Sequence, residues 1–125
     1  MRVLDPGHQY ALTHLDGNLE ELLTFVKRKG EGYPGNVGSH PGTNIQEVLR
    51  ALIDRMKYLD GQIPHWRNKF ILDHLRTSLE NLEYRAAERH RRILFLTPGK
   101  AIEDHPVCGL CGHIGCNREC VAAAQ

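Results

Sequence analysis

The stretch that decides the fold is TNIQEVLRALIDRMKYL, residues 43–59. Its apolar side chains recur at steps of three and four residues, which places them on one face of an α-helix. Thr43 and Gln46 have the spacing of a capping box, so the helix is predicted to begin here, and Asp60-Gly61 predicts its end. The stripe consists of Ile45, Val48, Leu49, Leu52, Met56 and Leu59.

A second helix is predicted after a short link. Pro64 suits a first helical turn, and the helix is expected to continue to about Arg92. Because the link is short, the two helices should be antiparallel neighbours. The apolar face of the second helix is broad enough for more than one partner, so the hairpin is expected to form a homo-oligomer that covers it. That face comprises Phe70, Ile71, Leu72, Leu75, Leu79, Leu82 and Ala86.

Residues 8–28 predict two β-strands. The turn signal Asp16-Gly17-Asn18 separates them, and Thr24, Phe25 and Val26 favour strand over helix in the second segment. The prediction is therefore an α+β fold: a small N-terminal β-hairpin element, then a long antiparallel two-helix hairpin, then a Cys-rich C-terminal tail. The expected boundary divides a β-element-plus-hairpin domain, residues 1–96, from a tail, residues 97–125.

Length and charge limit the class of protein. A chain of 125 residues with a formal net charge of +1 fits one domain, and any affinity for anions must come from local clusters. The beginning, MRVLDPGHQY, lacks the apolar run of a secretion signal, and no segment has the roughly 20 apolar residues of a membrane span. The expected location is therefore cytoplasmic, without a membrane partner.

The four cysteines are clustered near the C-terminus with the spacing Cys-x2-Cys-x4-Cys-x3-Cys. A disulfide framework would distribute its cysteines through the fold, whereas four thiolates this close together can surround one tetrahedral zinc ion. The spacing resembles a zinc knuckle, and the alternative is a reduced tail that binds no metal. Zinc is the predicted cofactor, no organic cofactor is expected, and the predicted ligands are Cys108, Cys111, Cys116 and Cys120.

Two basic groups indicate an anion site. Lys27 and Arg28 open a Gly-rich stretch, KRKGEGYPGNVGSHPGT, whose backbone N–H groups could approach a phosphate. Arg85 and Arg89 lie on one face near the end of the second helix. Guanidinium groups hold phosphate oxygens bidentately, although the helix dipole alone also favours cations there. The Gly-rich stretch is either a pocket lid and phosphate cradle or a plain connector.

Aromatic side chains supply candidate stacking groups. Tyr33 lies in the Gly-rich stretch and Tyr58 near the end of the first helix, where core packing is the alternative role. Asn68 could read a polar edge of a ligand or complete the hydrogen bonding of the first helical turn. No Ser/His/Asp or Cys/His set is recognisable, so the chain is not expected to be an enzyme.

The helical hairpin resembles that of phage proteins that sequester nucleotide signals, the anti-Thoeris and anti-CBASS sponges. The likeness covers roughly residues 8–92, is strongest over 43–92, and is closer to the anti-Thoeris branch because a β element precedes the hairpin. The chain departs from the family pattern at His65-Trp66-Arg67, Asn81 and Ala86. The matching residues are Thr43, Asn44, Val48, Leu49, Ile53, Asp54, Arg55, Asn68, Arg85 and Arg89.

The resemblance implies a non-enzymatic role in the cytoplasm of a host bacterium. Family members bind cyclic nucleotide immune messengers, such as glycocyclic ADP-ribose or cyclic di- and trinucleotides, in pockets between subunits of dimers or hexamers. Residue by residue, it implies that Tyr58 stacks on a base, Asn68 bonds polar edges and Arg85 pairs with phosphate. Lys27 and Arg28, with the adjoining loop, would close the pocket.

Two other functions remain open at this stage. One is a zinc-dependent small nucleic-acid-binding protein, in which the knuckle-like tail and the basic helix end contact phosphates. Nucleic acid is nevertheless not the expected partner. The other is a structural protein whose hairpin serves only to form an oligomer.

Overall fold

The computed structural model describes residues 1–27, 41–118 and Cys120. A three-stranded antiparallel sheet precedes two helices in the chain, which confirms the α+β class. The described chain divides into two compact units, Met1–Ile45 and Gln46–Val121. Neither helix combines the length and hydrophobicity needed to cross a membrane, within the residues that the structure describes.

The N-terminal unit holds β1 (Arg2–Asp5), β2 (Gln9–Thr13) and β3 (Glu20–Thr24), in that order across the sheet. The sequence predicted only the last two. The first strand is joined to the second by Asp5-Pro6-Gly7-His8, where the His8 N–H donates to the Asp5 carbonyl (2.9 Å) and Gly7 has φ +79°. Proline followed by a glycine of positive φ is the pattern of a type II turn.

The predicted turn between β2 and β3 is confirmed. The His14 N–H donates to the Leu19 carbonyl at 3.1 Å, and Asp16 Oδ1 accepts the N–H of Asn18 at 3.3 Å. Beyond β3, Phe25 pairs in parallel with Thr43. Thr43 therefore belongs to this pairing, and the helix begins two residues later, at Ile45.

The hairpin unit contains α1 (Ile45–Gln62) and α2 (Trp66–Arg89). The first helix continues through the predicted break at Asp60-Gly61, because one glycine in a helix costs only about 1 kcal/mol. Arg50 pairs with Glu83 at one end, and Asp60 accepts a hydrogen bond from Asn68 at the other. The helices are thus antiparallel, as predicted, and we call the end near Glu83 the base and the end near Asn68 the tip.

The buried face of each helix agrees only in part with the predicted stripe, since Leu49 and Leu75 pack against the core as expected. Ile53 is fully buried, whereas Leu52 and Ile45 of the predicted stripe are about half exposed. On α2, Leu79 is fully buried but Ile71 is exposed. The pattern missed part of the buried face because that face also carries polar side chains that are satisfied by hydrogen bonds, which a count of apolar residues ignores. These polar residues are Gln46, Arg50 and Glu83.

A Schellman motif ends α2. The Arg91 N–H donates to the Glu88 carbonyl and the Arg92 N–H to the Ala87 carbonyl, with Arg91 itself at φ +53°. The chain reverses here and returns over the hairpin. Two of the four fully packed core residues, Ile102 and Ile114, come from this returning segment and contact the cluster around Ile53 and Leu79. The sequence did not anticipate this packing, and the domain boundary after residue 96 stays a prediction.

A 3₁₀ turn, Ile102–Asp104, is fastened to both helices by Glu103. Its carboxylate accepts hydrogen bonds from Arg76 Nε at 3.0 Å and Nη2 at 2.8 Å, and Lys57 Nζ lies 3.8 Å away. Burial opposes ionisation of Glu103, but the Arg76 hydrogen bonds outweigh it and lower the pKa below its ordinary value of 4.5. The carboxylate form therefore stabilises the fold.

We expect Glu103→Gln to lower the free energy of unfolding at pH 7 by about 1–3 kcal/mol, the usual loss for a hydrogen bond to a charged group. Because the folded pKa is the lower one, this contribution is present above pH 4.5 and is lost as the pH falls through the folded pKa. Urea unfolding of both proteins at pH 7 and about pH 3 should show the gap closing on acidification. The exposed Glu88→Gln serves as the control, and a gap that does not change with pH would contradict the assignment.

Candidate metal centre

The first two cysteines lie on a tight turn of the returning segment. Val107 and Ile114 form an antiparallel bridge, and the Cys108 N–H donates to the His113 carbonyl at 3.0 Å. The Gly112 N–H donates back to the Cys108 carbonyl at 2.8 Å, with Gly112 at φ +73°. Glycine is favoured there because the left-handed conformation costs a residue with a Cβ about 1–2 kcal/mol. The turn places both thiols on the same side.

Backbone N–H groups stabilise the thiolate of Cys108. The N–H groups of Cys111 and Leu110 point at its sulfur, with Leu110 N at 3.5 Å, and together they lower the pKa of Cys108 to about 6. These two donors therefore favour the thiolate form of Cys108. Burial raises the pKa of Cys111 and of Cys120. Crowded thiols of this kind ionise together only if a cation offsets their mutual repulsion.

The other two cysteines return to the same point through a run of left-handed residues. Gly115, Asn117 and Arg118 have φ of +70°, +50° and +65°. The four sulfurs all lie within 4.8 Å of one another, and Cys108 Sγ is 3.8 Å from Cys120 Sγ. In the described part of the chain no disulfide joins them. The predicted cysteine cluster is therefore present, with a geometry that could hold one metal ion.

The nearby histidines do not belong to the cluster. His105 Nε2 accepts the Thr97 N–H at 2.9 Å while its Nδ1 donates to the Ala101 carbonyl at 3.0 Å, so both ring nitrogens are engaged. His113 Nδ1 lies 3.2 Å from the side-chain Nε2 of Gln46, within hydrogen-bond distance. The candidate metal site therefore offers four sulfur donors.

A buried ionic network fastens the cysteine loop to the hairpin, and sequence reasoning missed it. Glu83 is 0% exposed, and Arg50 Nη2 donates to its Oε1 at 2.9 Å. The Ile114 N–H donates to Oε2 at 3.0 Å, and His113 Nδ1 lies 3.6 Å from the same oxygen. Burial opposes ionisation of Glu83, but these contacts outweigh it and lower the pKa of the carboxyl. The available signal was Glu83 itself, four residues after Leu79 on the buried face.

Two predicted ligand-binding residues lie at the tip of the hairpin. The hydroxyl of Tyr58 accepts a hydrogen bond from Gln62 at 3.0 Å, its ring is 5.6 Å from the Arg55 guanidinium, and 57% of its surface is exposed. Asn68 donates its amide to Asp60 Oδ1 at 2.8 Å and thus fixes the link. The tyrosine ring is therefore accessible, whereas the amide nitrogen of Asn68 has a structural partner.

The basic residues lie elsewhere. Arg85 and Arg89 are exposed near the base, at the opposite end of the hairpin from Tyr58. Lys27, in the N-terminal unit, forms an ion pair with Asp5 at 3.4 Å. The structure does not bring Tyr58 and Arg85 together within one chain. Arg28 and Tyr33, with most of the Gly-rich stretch, lie outside the described residues.

No protein-family model, curated protein or solved structure matches this chain. The likeness to the nucleotide sponges therefore stays a prediction from the quoted hairpin motifs. Besides those motifs, the structure contains the cysteine cluster and the buried network around Glu83.

Proposed function

We propose that this chain is a non-enzymatic binding protein that sequesters a cyclic nucleotide messenger between copies of its helical hairpin. The observation that carries the proposal is the large apolar surface that the hairpin leaves exposed. Trp66 is 64% exposed and Phe70 53%. Phe70, Ile71 and Leu75 line a cavity of about 390 Å³ along α2. A second hairpin would cover this face, so the protein acts as a homo-oligomer, a dimer or a hexamer.

The positions of the predicted ligand residues also require a second copy. Arg50 and Glu83 are paired, so they lie at the same height along the hairpin axis. At a rise of 1.5 Å per residue, Tyr58 lies toward the tip from this height and Arg85 toward the base, roughly 15 Å apart along the axis. An antiparallel partner hairpin would place its own base beside the tip of the first. Arg85 and Arg89 would then hold phosphate groups while Tyr58 of the facing copy stacks on a base.

We propose zinc as the ion of the cysteine cluster. Four thiolate ligands in a closed set are typical of structural zinc sites, with Zn–S distances of about 2.3 Å. An ideal tetrahedron with that bond length separates its sulfurs by about 3.8 Å, and Cys108 and Cys120 have their sulfurs 3.8 Å apart. The ion would fasten the returning segment and leave the binding of the messenger to the hairpin.

We expect the purified protein to retain a cyclic nucleotide through filtration and to release it chemically intact when heated. The probes are glycocyclic ADP-ribose and representative cyclic di- and trinucleotides, with chromatography of the released fraction as the measurement. Arg85→Ala should weaken retention at least tenfold, because a charge-assisted phosphate contact contributes about 1.5–3 kcal/mol.

The matched control is Arg2→Ala, which removes an exposed arginine on β1. Retention should not change with that variant. Recovery of a degraded nucleotide would indicate an enzyme instead, and failure to retain any of the probes would overturn the proposal.

A zinc-dependent nucleic-acid-binding protein is the second candidate. It is favoured by one observation: Arg118 lines a cavity of about 590 Å³ together with Cys108 and Cys116. This function requires affinity that falls steeply with salt, because phosphate contacts release counterions. Absence of a mobility shift with single- or double-stranded RNA or DNA at low salt would eliminate it.

A further inference from the structure

Glu83 connects three parts of the hairpin unit through one carboxylate. One oxygen accepts from Arg50 on α1, and the other accepts the N–H of Ile114, which lies in the loop between Cys111 and Cys116. Glu83 itself belongs to α2. Gln46, on the first turn of α1, holds the neighbouring residue of the loop, His113. The loop that separates two of the cysteines is therefore hydrogen-bonded to both helices at the base.

We propose that Glu83 is a positioning residue that couples occupation of the metal site to closure of the hairpin base. This inference rests on the zinc assignment proposed above. It adds that the bound ion acts on the hairpin base through the contact between Ile114 and Glu83. An ion bound by Cys111 and Cys116 fixes both ends of the loop of residues 112–115, so the Ile114 N–H stays directed at Glu83. Without the ion the loop loses both anchors, and the buried carboxylate loses one of the donors that compensate its burial.

The coupling is reciprocal by linkage. If the bound ion strengthens the contact between Ile114 and Glu83, then removal of the Glu83 charge must lower the affinity for the ion by the same factor. Groups that orient metal ligands from outside the coordination sphere typically change affinity 10- to 100-fold when they are replaced. If the carboxylate merely stabilised the hairpin, its removal would destabilise the apo and loaded forms equally. The affinity for metal would then stay unchanged.

The first test uses the unaltered chain. Hydrogen exchange is compared between protein loaded with one equivalent of Zn²⁺ and protein stripped with a chelator. We expect removal of the ion to accelerate amide exchange at least tenfold in residues 83–89 at the base, with much less change in residues 66–72 at the tip. Equal exchange in the two forms at residues 83–89 would overturn the coupling.

The second test measures affinity for Co²⁺, whose thiolate charge-transfer bands report tetrahedral sulfur coordination, and for Zn²⁺ by competition. Glu83→Gln should weaken both about tenfold. The matched control is Glu103→Gln, which also removes a mostly buried, arginine-paired carboxylate, here in the returning segment. Glu103 contacts no residue of the cysteine loop in the described structure. Its effect on affinity should be less than threefold.

Equal weakening by the two variants would overturn the assignment to Glu83. An unchanged affinity in Glu83→Gln would do the same and would leave the zinc site itself intact. If the unaltered chain binds neither ion, the zinc assignment fails. This failure is distinct from a failure of the role assigned to Glu83, because it is seen before any variants are compared. If Glu83→Gln does not fold, Glu83→Asp, which keeps the charge on a shorter side chain, is expected to show an intermediate loss of affinity.

Discussion

A chain in which Cys111 and Cys116 are both serine should bind no zinc and should unfold far more readily than the unaltered protein. Serine hydroxyls are not ionised at neutral pH and are poor zinc ligands, so the remaining two thiols cannot hold the ion. Free zinc at 1,000 times the dissociation constant stabilises a folded protein by about 4 kcal/mol, and the variant should lose about that amount. Elemental analysis gives the stoichiometry, and urea unfolding gives the stability.

The control for this variant is Gly109→Ser, which places a serine in the same loop without removing a ligand. An added Cβ at Gly109 meets nothing within 4 Å, so the loop should accept it. This control should retain one zinc per chain. If the cysteine variant keeps its stability in the presence of zinc, the cluster has no part in holding the returning segment.

The second large effect is expected at the centre of the hairpin core. Leu79 is 0% exposed and packs in a cluster with Ile53, Ile102 and Ile114. Leu79→Ala should lower the free energy of unfolding by about 2–5 kcal/mol, because the lost transfer energy adds to the cost of the cavity left behind. Denaturant unfolding at a fixed protein concentration measures it, since assembly makes stability depend on concentration.

Leu19→Ala provides the comparison, because Leu19 has the same side chain but is 62% exposed in the N-terminal unit. We expect a change below about 0.5 kcal/mol there, as for most surface substitutions. A loss of under 1 kcal/mol for Leu79→Ala would mean that the buried cluster is not the core that holds α1, α2 and the returning segment together.

Much of the fold follows from local patterns. Two helices joined by a short link, the antiparallel arrangement and the β2–β3 turn were predictable because each depends on residues close together in sequence. The first strand was missed because Arg2–Asp5 is only four residues long and has no alternating pattern to signal it. The buried faces were predicted only in part, because Gln46 and Glu83 are buried with partners that no helical pattern contains.

The members of the cysteine cluster were predictable, but its attachment to the hairpin was not. The spacing of four cysteines within a short segment is enough to predict a set of metal ligands, and the structure brings their sulfurs together. The pairing of Glu83 with Ile114 joins residues 31 positions apart and could not be read from either segment alone. The messenger pocket stays a prediction, because Tyr58 and Arg85 occupy opposite ends of one hairpin and the proposed pocket depends on a second copy.

The bond between Gln46 and His113 spans 67 positions of the chain, and it has a consequence for biosynthesis. On the ribosome, both helices emerge before the segment that contributes Ile102 and Ile114 to their core. Until that segment arrives, the nascent hairpin exposes Ile53, Leu79 and the charged Glu83 to solvent, so the hairpin unit completes its folding only after translation has passed the cysteines. Stalled chains that carry residues 1–100 on a C-terminal linker long enough to fill the exit tunnel should therefore be sensitive to protease throughout the helices, whereas the full 125-residue sequence on the same linker should be protected in the presence of zinc.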